Sequence, residues 1–384
     1  MIPRIISEQF EKLTKQFPVI TIMGPRQSGK TTLAKYYFKD FNYVNLENPD
    51  HRSYAEDDPN GFLNDNKAPV ILDEIQRVPK LLSYIQDAVD KTGKMGQYIL
   101  TGSHQPALKE GISQSLAGRT AILQLLPLSI SEIESSNISL NRDDLIFKGF
   151  LPKLYSIESQ PELEYSNYYR TYVERDVSQL INLRYHREFE IFIRLLAGRI
   201  GQLLNLSSIA NDVGVSVKTL CEWLNILEAS FIVFRLPCYF ENFGKRLVKT
   251  PKLYFTEIGL AAWLLGIKSV EQISSHPLIG NLFENMVIVE ALKHQYNHGK
   301  DNNLYFFRDQ RGFEIDLLLA EGQTLQPFEI KSSQTYSSDF AVNIKKLYEK
   351  SQSIKNGCIV YSGNSERFND PKVINFKNLS QYMY

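Results

Sequence analysis

Cysteine is scarce in this chain, and an excess of charge of either sign is missing. The chain has 384 residues with three cysteines, Cys221, Cys238 and Cys358, far apart and without a CxxC pair. That excludes a disulfide framework and a paired-cysteine metal clip, and it predicts reduced thiols in a cytoplasmic protein. Lys+Arg and Asp+Glu both total 43, so the formal net charge is zero. A chain-wide basic field that would hold nucleic acid nonspecifically is thereby excluded; only a local patch stays open. No run of about 18 apolar residues occurs, so no membrane-spanning helix and no membrane partner are expected. The first residues, MIPRIISEQFEKLTKQFP, lack the apolar stretch of a signal peptide. Internal repeats and low-complexity segments are also missing.

Hydrophobic residues make up 43% and aromatic residues 12%, which predicts well-packed cores. A chain of this length exceeds what one core usually serves, so two or three domains are expected.

The first informative stretch is Phe17 to Met23, FPVITIM. It is apolar and β-branched, and predicts a buried parallel strand. Gly24-Pro25-Arg26-Gln27-Ser28-Gly29-Lys30-Thr31 follows directly and meets GxxxxGK[ST] at every fixed position. From Thr32 onward the sequence has helical character. Strand, glycine loop and helix together form a cradle for a nucleoside triphosphate. The glycines let backbone N–H groups wrap the phosphates, and the helix opening at Lys30 adds its positive dipole end. Lys30 brings charge to the β- and γ-phosphates, and Thr31 offers its hydroxyl to Mg²⁺. ATP and Mg²⁺ are the expected ligands, with Gly24 through Thr32 as the binding loop.

A second strand, Pro69 to Leu72, ends in Asp73-Glu74. Two acids at the tip of a buried strand resemble a Walker B element, in which Asp73 holds the Mg²⁺ shell and Glu74 orients or deprotonates the attacking water. A third strand, Gln97 to Leu100, runs into Thr101-Gly102-Ser103. Arg119 precedes a further apolar strand. It reads either as a cation reaching a neighbouring subunit's nucleotide or as a surface arginine.

GPRQSGKTT, LDEIQ, YILTGS, LAGR and LPLSISE, in this order, resemble a large family of prokaryotic AAA-type ATPases. The segment Tyr172 to Val177 is similar to the family's junction. The resemblance spans nearly the whole chain. It implies a P-loop domain joined to a winged helix and a restriction-endonuclease-like C-terminal domain. It also makes Thr101 or Ser103 a candidate γ-phosphate sensor, and family habit suggests a homo-oligomer.

In the middle of the chain, Leu206 begins a helix with Ser207 as a plausible N-cap, residues Asn211 to Ser216 form a turn, and Lys218 to Glu228 form the next helix. FIVFRLPCYF then reads as strand. This resembles a winged helix, which would either contact DNA or pack between domains. Over 235–252, Arg235, Lys245, Arg246, Lys249 and Lys252 face only Glu241, which would favour phosphate contact.

After Pro277 a helix carries Glu284, and strands are expected at 304–308, 314–319 and 327–331. Glu329 and Lys331 share a strand face, and Asp316 can sit on the adjacent strand. Together they resemble the PD-(D/E)xK nuclease core, in which Asp316, Glu329 and Glu284 would hold Mg²⁺ and Lys331 would position water. The tripeptide [DE]xK also occurs at Asp65-Asn66-Lys67 and Asp370-Pro371-Lys372, so strand context selects the Glu329 copy. A degenerate core with a structural Glu–Lys pair stays open beside cleavage.

The expected architecture is an α/β chain. A parallel-sheet P-loop ATPase occupies 1–160, a helical and winged-helix module 161–270, and a mixed α/β endonuclease-like domain 271–384. The expected function is ATP binding and hydrolysis driving the C-terminal module, with DNA as a possible partner. A nucleotide-dependent switch acting on a protein or DNA partner without cleavage is the alternative.

Overall fold

A computed structural model describes residues 2–103, 111–112, 114–156, 159–177, 185–239 and 250–383, with backbone alone for 174–177. The junction side chains Glu174 to Val177 and the basic residues Lys245, Arg246 and Lys249 lie outside the described residues. The chain divides into two compact units, one of Met1–Leu128 with Ala229–Phe231 and Tyr296–Lys300, the other of Ser129–Glu228, Ile232–Gln295 and Asp301–Tyr384.

The first unit is built on five parallel strands: β1 Val19–Met23, β2 Asn42–Asn45, β3 Val70–Asp73, β4 Tyr98–Gly102 and β5 Thr120–Gln124. Their spatial order is β2-β3-β4-β1-β5. All residues of β1, β3 and β4 are buried, as expected for strands covered on both faces. Alternation along β1 sends Ile20 and Ile22 into one core with Leu33 and Phe10. Val19 and Met23 enter the other core, with Leu81, Ile85 and Val89 from the helix Leu81–Thr92. Because every strand runs the same way, the turns after β1, β3 and β4 meet at one edge. This is the P-loop NTPase arrangement, and its ligand edge lies at the carboxyl ends of the strands.

The second unit begins with helices. His186–Gly198, Leu206–Val213 and Val217–Ala229 are followed by an antiparallel ribbon of β6 Val233–Leu236 and β7 Lys252–Phe255. The N-cap of the second helix is Asn205, whose side chain accepts from Ser208 N, in place of the expected Ser207. The long helix Ile279–Asn297 follows. A mixed sheet of β8 Leu304–Arg308, β9 Glu314–Glu321, β10 Thr324–Lys331, β11 Cys358–Tyr361 and β12 Lys372–Asn375 closes the chain. β8, β9 and β10 run antiparallel, whereas β10, β11 and β12 are parallel. Among the described residues no helix is long and apolar enough to cross a membrane.

Candidate functional site

The loop after β1 folds as its glycines require. Gly29 has φ 92° and Gln27 φ 63°, two left-handed positions that turn successive N–H groups toward one side. At Gly24 a Cβ atom would stand 2.1 Å from the carbonyl oxygen of Leu125, so no larger residue fits. Lys30, in the first turn of the helix Lys30–Tyr37, is buried and donates to the carbonyls of Gly24 (3.0 Å) and Pro25 (2.7 Å). Burial pushes the Lys30 ammonium down to about 8, against the pull of Glu74 and Asp73. Ser28 Oγ donates to Pro25 O at 3.0 Å, and Arg26 pairs with Glu47 at 3.0 Å. Thr32 is the third residue of that helix.

Asp73 is the hub beside this loop. Thr31 Oγ1 lies 3.0 Å from each of its carboxylate oxygens. Thr101, fully buried at the end of β4, donates to Oδ1, and Tyr43 on β2 donates to Oδ2 at 2.8 Å. The strand order explains this convergence, because β4 lies between β1 and β3 and brings Thr101 between the two motifs. Glu74 has φ 59°, an uncommon conformation for a residue with a side chain, and its carboxylate accepts from Gln76 Nε2. Ser103 is buried, with its hydroxyl unpaired among the described residues.

Two contributors carry no sequence motif. Arg4 is 6% exposed and donates to Ser28 O (2.8 Å), Leu126 O (2.6 Å) and Pro127 O (3.4 Å), clamping the loop from below. Tyr43 is the second. Neither stands in a recognisable spacing, and the one signal was an arginine in an otherwise apolar IPRII stretch. Arg119 is not brought to this edge. It precedes β5 and pairs in register with the start of β1, whereas the loop follows the end of β1. It forms a two-pronged ion pair with Asp90, at 2.6 and 2.8 Å.

The profile of the AAA domain matches residues 16–134. Two domains of unknown function match beyond it, one over 140–271 (DUF8612) and one over 279–382 (DUF4143). An uncharacterized protein of Mycobacterium tuberculosis is 30% identical over 324 residues, covering 83% of this chain and 71% of that protein. An uncharacterized protein of Haemophilus influenzae is 24% identical, covering 86% and 87%. The chain belongs to this family of AAA-domain proteins. Among solved structures, the Walker-type ATPase of Pyrococcus abyssi is similar at 15% identity and TM-score 0.45, covering 69% of this chain and 96% of that one. The AMPPCP-bound DnaA of Aquifex aeolicus is similar at 17% identity and TM-score 0.30, covering 58% and 86%.

In the second unit of this AAA protein, Lys331 stands beside Asp316 and Glu329, and Glu284 is held by Lys252 and Tyr254. β9 and β10 pair antiparallel with Leu317 opposite Phe328, which sets Asp316 beside Glu329. Asp316 Oδ2 accepts from Ile330 N at 2.8 Å. Lys331 Nζ lies 2.8 Å from Glu329 and 3.6 Å from Asp316. Glu284, on the helix Ile279–Asn297, accepts from Tyr254 OH at 2.6 Å and Lys252 Nζ at 2.9 Å. Burial pushes the Glu329 carboxyl up to about 7, with Asp316 adding to the rise, and its Oε2 is buried without a hydrogen-bond partner among the described residues.

Among the described residues no group of three or more His, Cys, Asp or Glu stands arranged to hold a metal ion. One sequence expectation changes here. Lys252, expected in a DNA-facing basic patch, is buried between Glu284 and Glu314. Arg235 of the same patch is paired with Glu228. Alternation in β7 points Lys252 and Tyr254 to one face, and the acids waiting there are distant in sequence.

Proposed function

We propose that the first unit binds ATP with Mg²⁺ and hydrolyses it. The observation that carries this reading is the contact of Thr31 Oγ1 with both oxygens of Asp73, at the edge where the glycine loop and Lys30 also lie. The backbone N–H groups of the Gly24–Thr32 loop, all but that of Pro25, which has none, wrap the phosphates, and Lys30 leaves its loop carbonyls for the β- and γ-phosphate oxygens. Thr31 and Asp73 are the residues that would hold Mg²⁺, and their pairing fits a hard, oxygen-preferring cation. Held there, Mg²⁺ would supply charge neutralisation for the transferring phosphoryl group. Glu74 orients the attacking water and takes its proton. Thr101 and Tyr43 fix the Asp73 carboxylate, and Thr101 registers the γ-phosphate. Arg119 acts on a neighbouring subunit's nucleotide, after releasing Asp90.

The nucleotide cycle is the input to the second unit, which acts as a switch on a protein or DNA partner in the cytoplasm. DNA cleavage is the second reading, favoured by the Asp316–Glu329–Lys331 grouping. Steady-state ATP turnover tests the first claim. Lys30→Ala is expected to abolish turnover, and Glu74→Gln to retain ATP binding while losing it. Unchanged turnover in Lys30→Ala overturns the assignment. Mg²⁺-dependent DNA cleavage by wild type, Asp316→Ala and Lys331→Ala tests the second; equal DNA integrity in all three removes the nuclease.

A further inference from the structure

We infer that Lys252 is a built-in cation, whose ammonium together with that of Lys331 replaces a divalent metal ion in the acidic cluster of the second unit. The inference is independent of ATP hydrolysis in the first unit, and it stands against the Mg²⁺-dependent cleavage reading of the second.

The cluster holds four carboxylates from three elements: Glu284 on the helix Ile279–Asn297, Glu314 and Asp316 on β9, and Glu329 on β10. That many negative charges inside a fold cannot persist without compensation. Among the described residues their partners are cations and donors of the same unit. Lys252 Nζ, with its side chain 4% exposed, lies 2.9 Å from Glu284 Oε1 and 2.5 Å from Glu314 Oε1. Arg308 takes the other Glu314 oxygen at 2.7 Å. Lys331 bridges Glu329 and Asp316, and Asn343 donates to Glu329 Oε1 at 3.2 Å. Lys252 and Lys331 thus bring two positive charges, the number a divalent ion would bring.

The geometry favours the replacement. A hard divalent ion needs carboxylate oxygens at about 2.0–2.6 Å around one point. Glu284 Oε1 already accepts from an ammonium and a phenol, Asp316 Oδ2 from a backbone N–H, and Glu329 Oε1 from an ammonium and an amide. A metal taking these three oxygens would have to strip their donors and stand against two ammonium groups, whereas Glu329 Oε2 has no partner among the described residues. The fold also fixes the lysine in place. Asn285, one residue past Glu284, exchanges two hydrogen bonds with the backbone of Phe255 at 2.7 and 2.8 Å, tying the helix to the strand that carries Lys252.

The test is Mn²⁺ binding by the full-length protein without nucleotide, followed by electron paramagnetic resonance and thermal melting. Wild type and Glu284→Gln are expected to bind the same amount of Mn²⁺, and a chelator is expected to leave the wild-type Tm unchanged. Lys252→Ala is expected to lose several degrees of Tm and to regain part of the loss with millimolar Mn²⁺, a regain that Glu284→Gln removes. Lys252→Arg is expected to keep the wild-type pattern. Wild-type Mn²⁺ binding that Glu284→Gln abolishes overturns the inference, with no need for the lysine variants to fold. So does a Lys252→Ala protein that neither loses stability nor gains a response to Mn²⁺.

Discussion

Arg4 reaches across the first unit to Ser28, its Nη1 2.8 Å from the carbonyl oxygen in the middle of the phosphate loop. The same guanidinium holds Leu126 O and Pro127 O, at the point where the chain leaves β5. Loop and exit are therefore tied to one planar group. Arg4→Ala should cost about 2–3 kcal/mol, the scale of charge-assisted hydrogen bonds left unmade in a buried place. It should also raise KM for ATP more than it lowers kcat, because the loop loses its support while Lys30 and Glu74 stay in place. Arg4→Lys should restore only part of the affinity, since an ammonium does not reproduce the guanidinium's geometry. Equal KM in wild type and Arg4→Ala would refute the clamp.

Thr101 tests whether the Asp73 hub is needed in the reaction. Thr101→Val keeps the shape of the side chain and removes the donor to Asp73. Turnover should fall about 100-fold, the usual scale for one lost preorganised donor. Nucleotide affinity, measured by titration calorimetry, should change little. An unaltered kcat would show that Asp73 is held well enough by Thr31 and Tyr43.

Lys30 gives nucleotide binding a signature in pH. Its pKa in the free protein is depressed to about 8, and phosphate contact favours the charged ammonium. ATP should therefore bind with proton uptake above about pH 8, seen as heat that depends on buffer ionisation. For stability the sign is opposite. The unfolded chain holds the proton up to the ordinary value of 10.5, so stability without nucleotide rises with pH between about 8 and 10.5. Lys30→Met should remove both effects.

Glu329 sets a second pH dependence. Its carboxyl is raised from 4.5 to about 7 in the fold. Between those values the folded protein holds more protons than the unfolded chain, so this group's contribution falls as pH climbs through the window. It is fully favourable below the lower value. Glu329→Gln should flatten the Tm profile over that range, and a profile with the wild-type slope would contradict the raised pKa.

The fold of the first unit was readable because its signals are local. FPVITIM shows in seven consecutive residues that it is covered on both faces, and GPRQSGKT brings its special backbone angles in the same stretch. Both strands of the C-terminal hairpin were also legible from alternation, although β9 and β10 run longer than expected. The charge of a lysine was not legible in this way. Lys252 follows a basic stretch and looks like a surface residue until the acids around it are known.

The sequence alone determined the phosphate loop, its flanking strand and helix, and the acid-tipped β3, since each is encoded within a few adjacent residues. Only the tertiary structure decided that Arg4 meets Ser28, that Thr101 meets Asp73, and that Lys252 meets Glu284, pairs 24, 28 and 32 residues apart. Strand order and helix docking bring such groups together. Burial then fixes what a charge can do, because a buried ion must find its counterpart among whatever the fold has placed beside it.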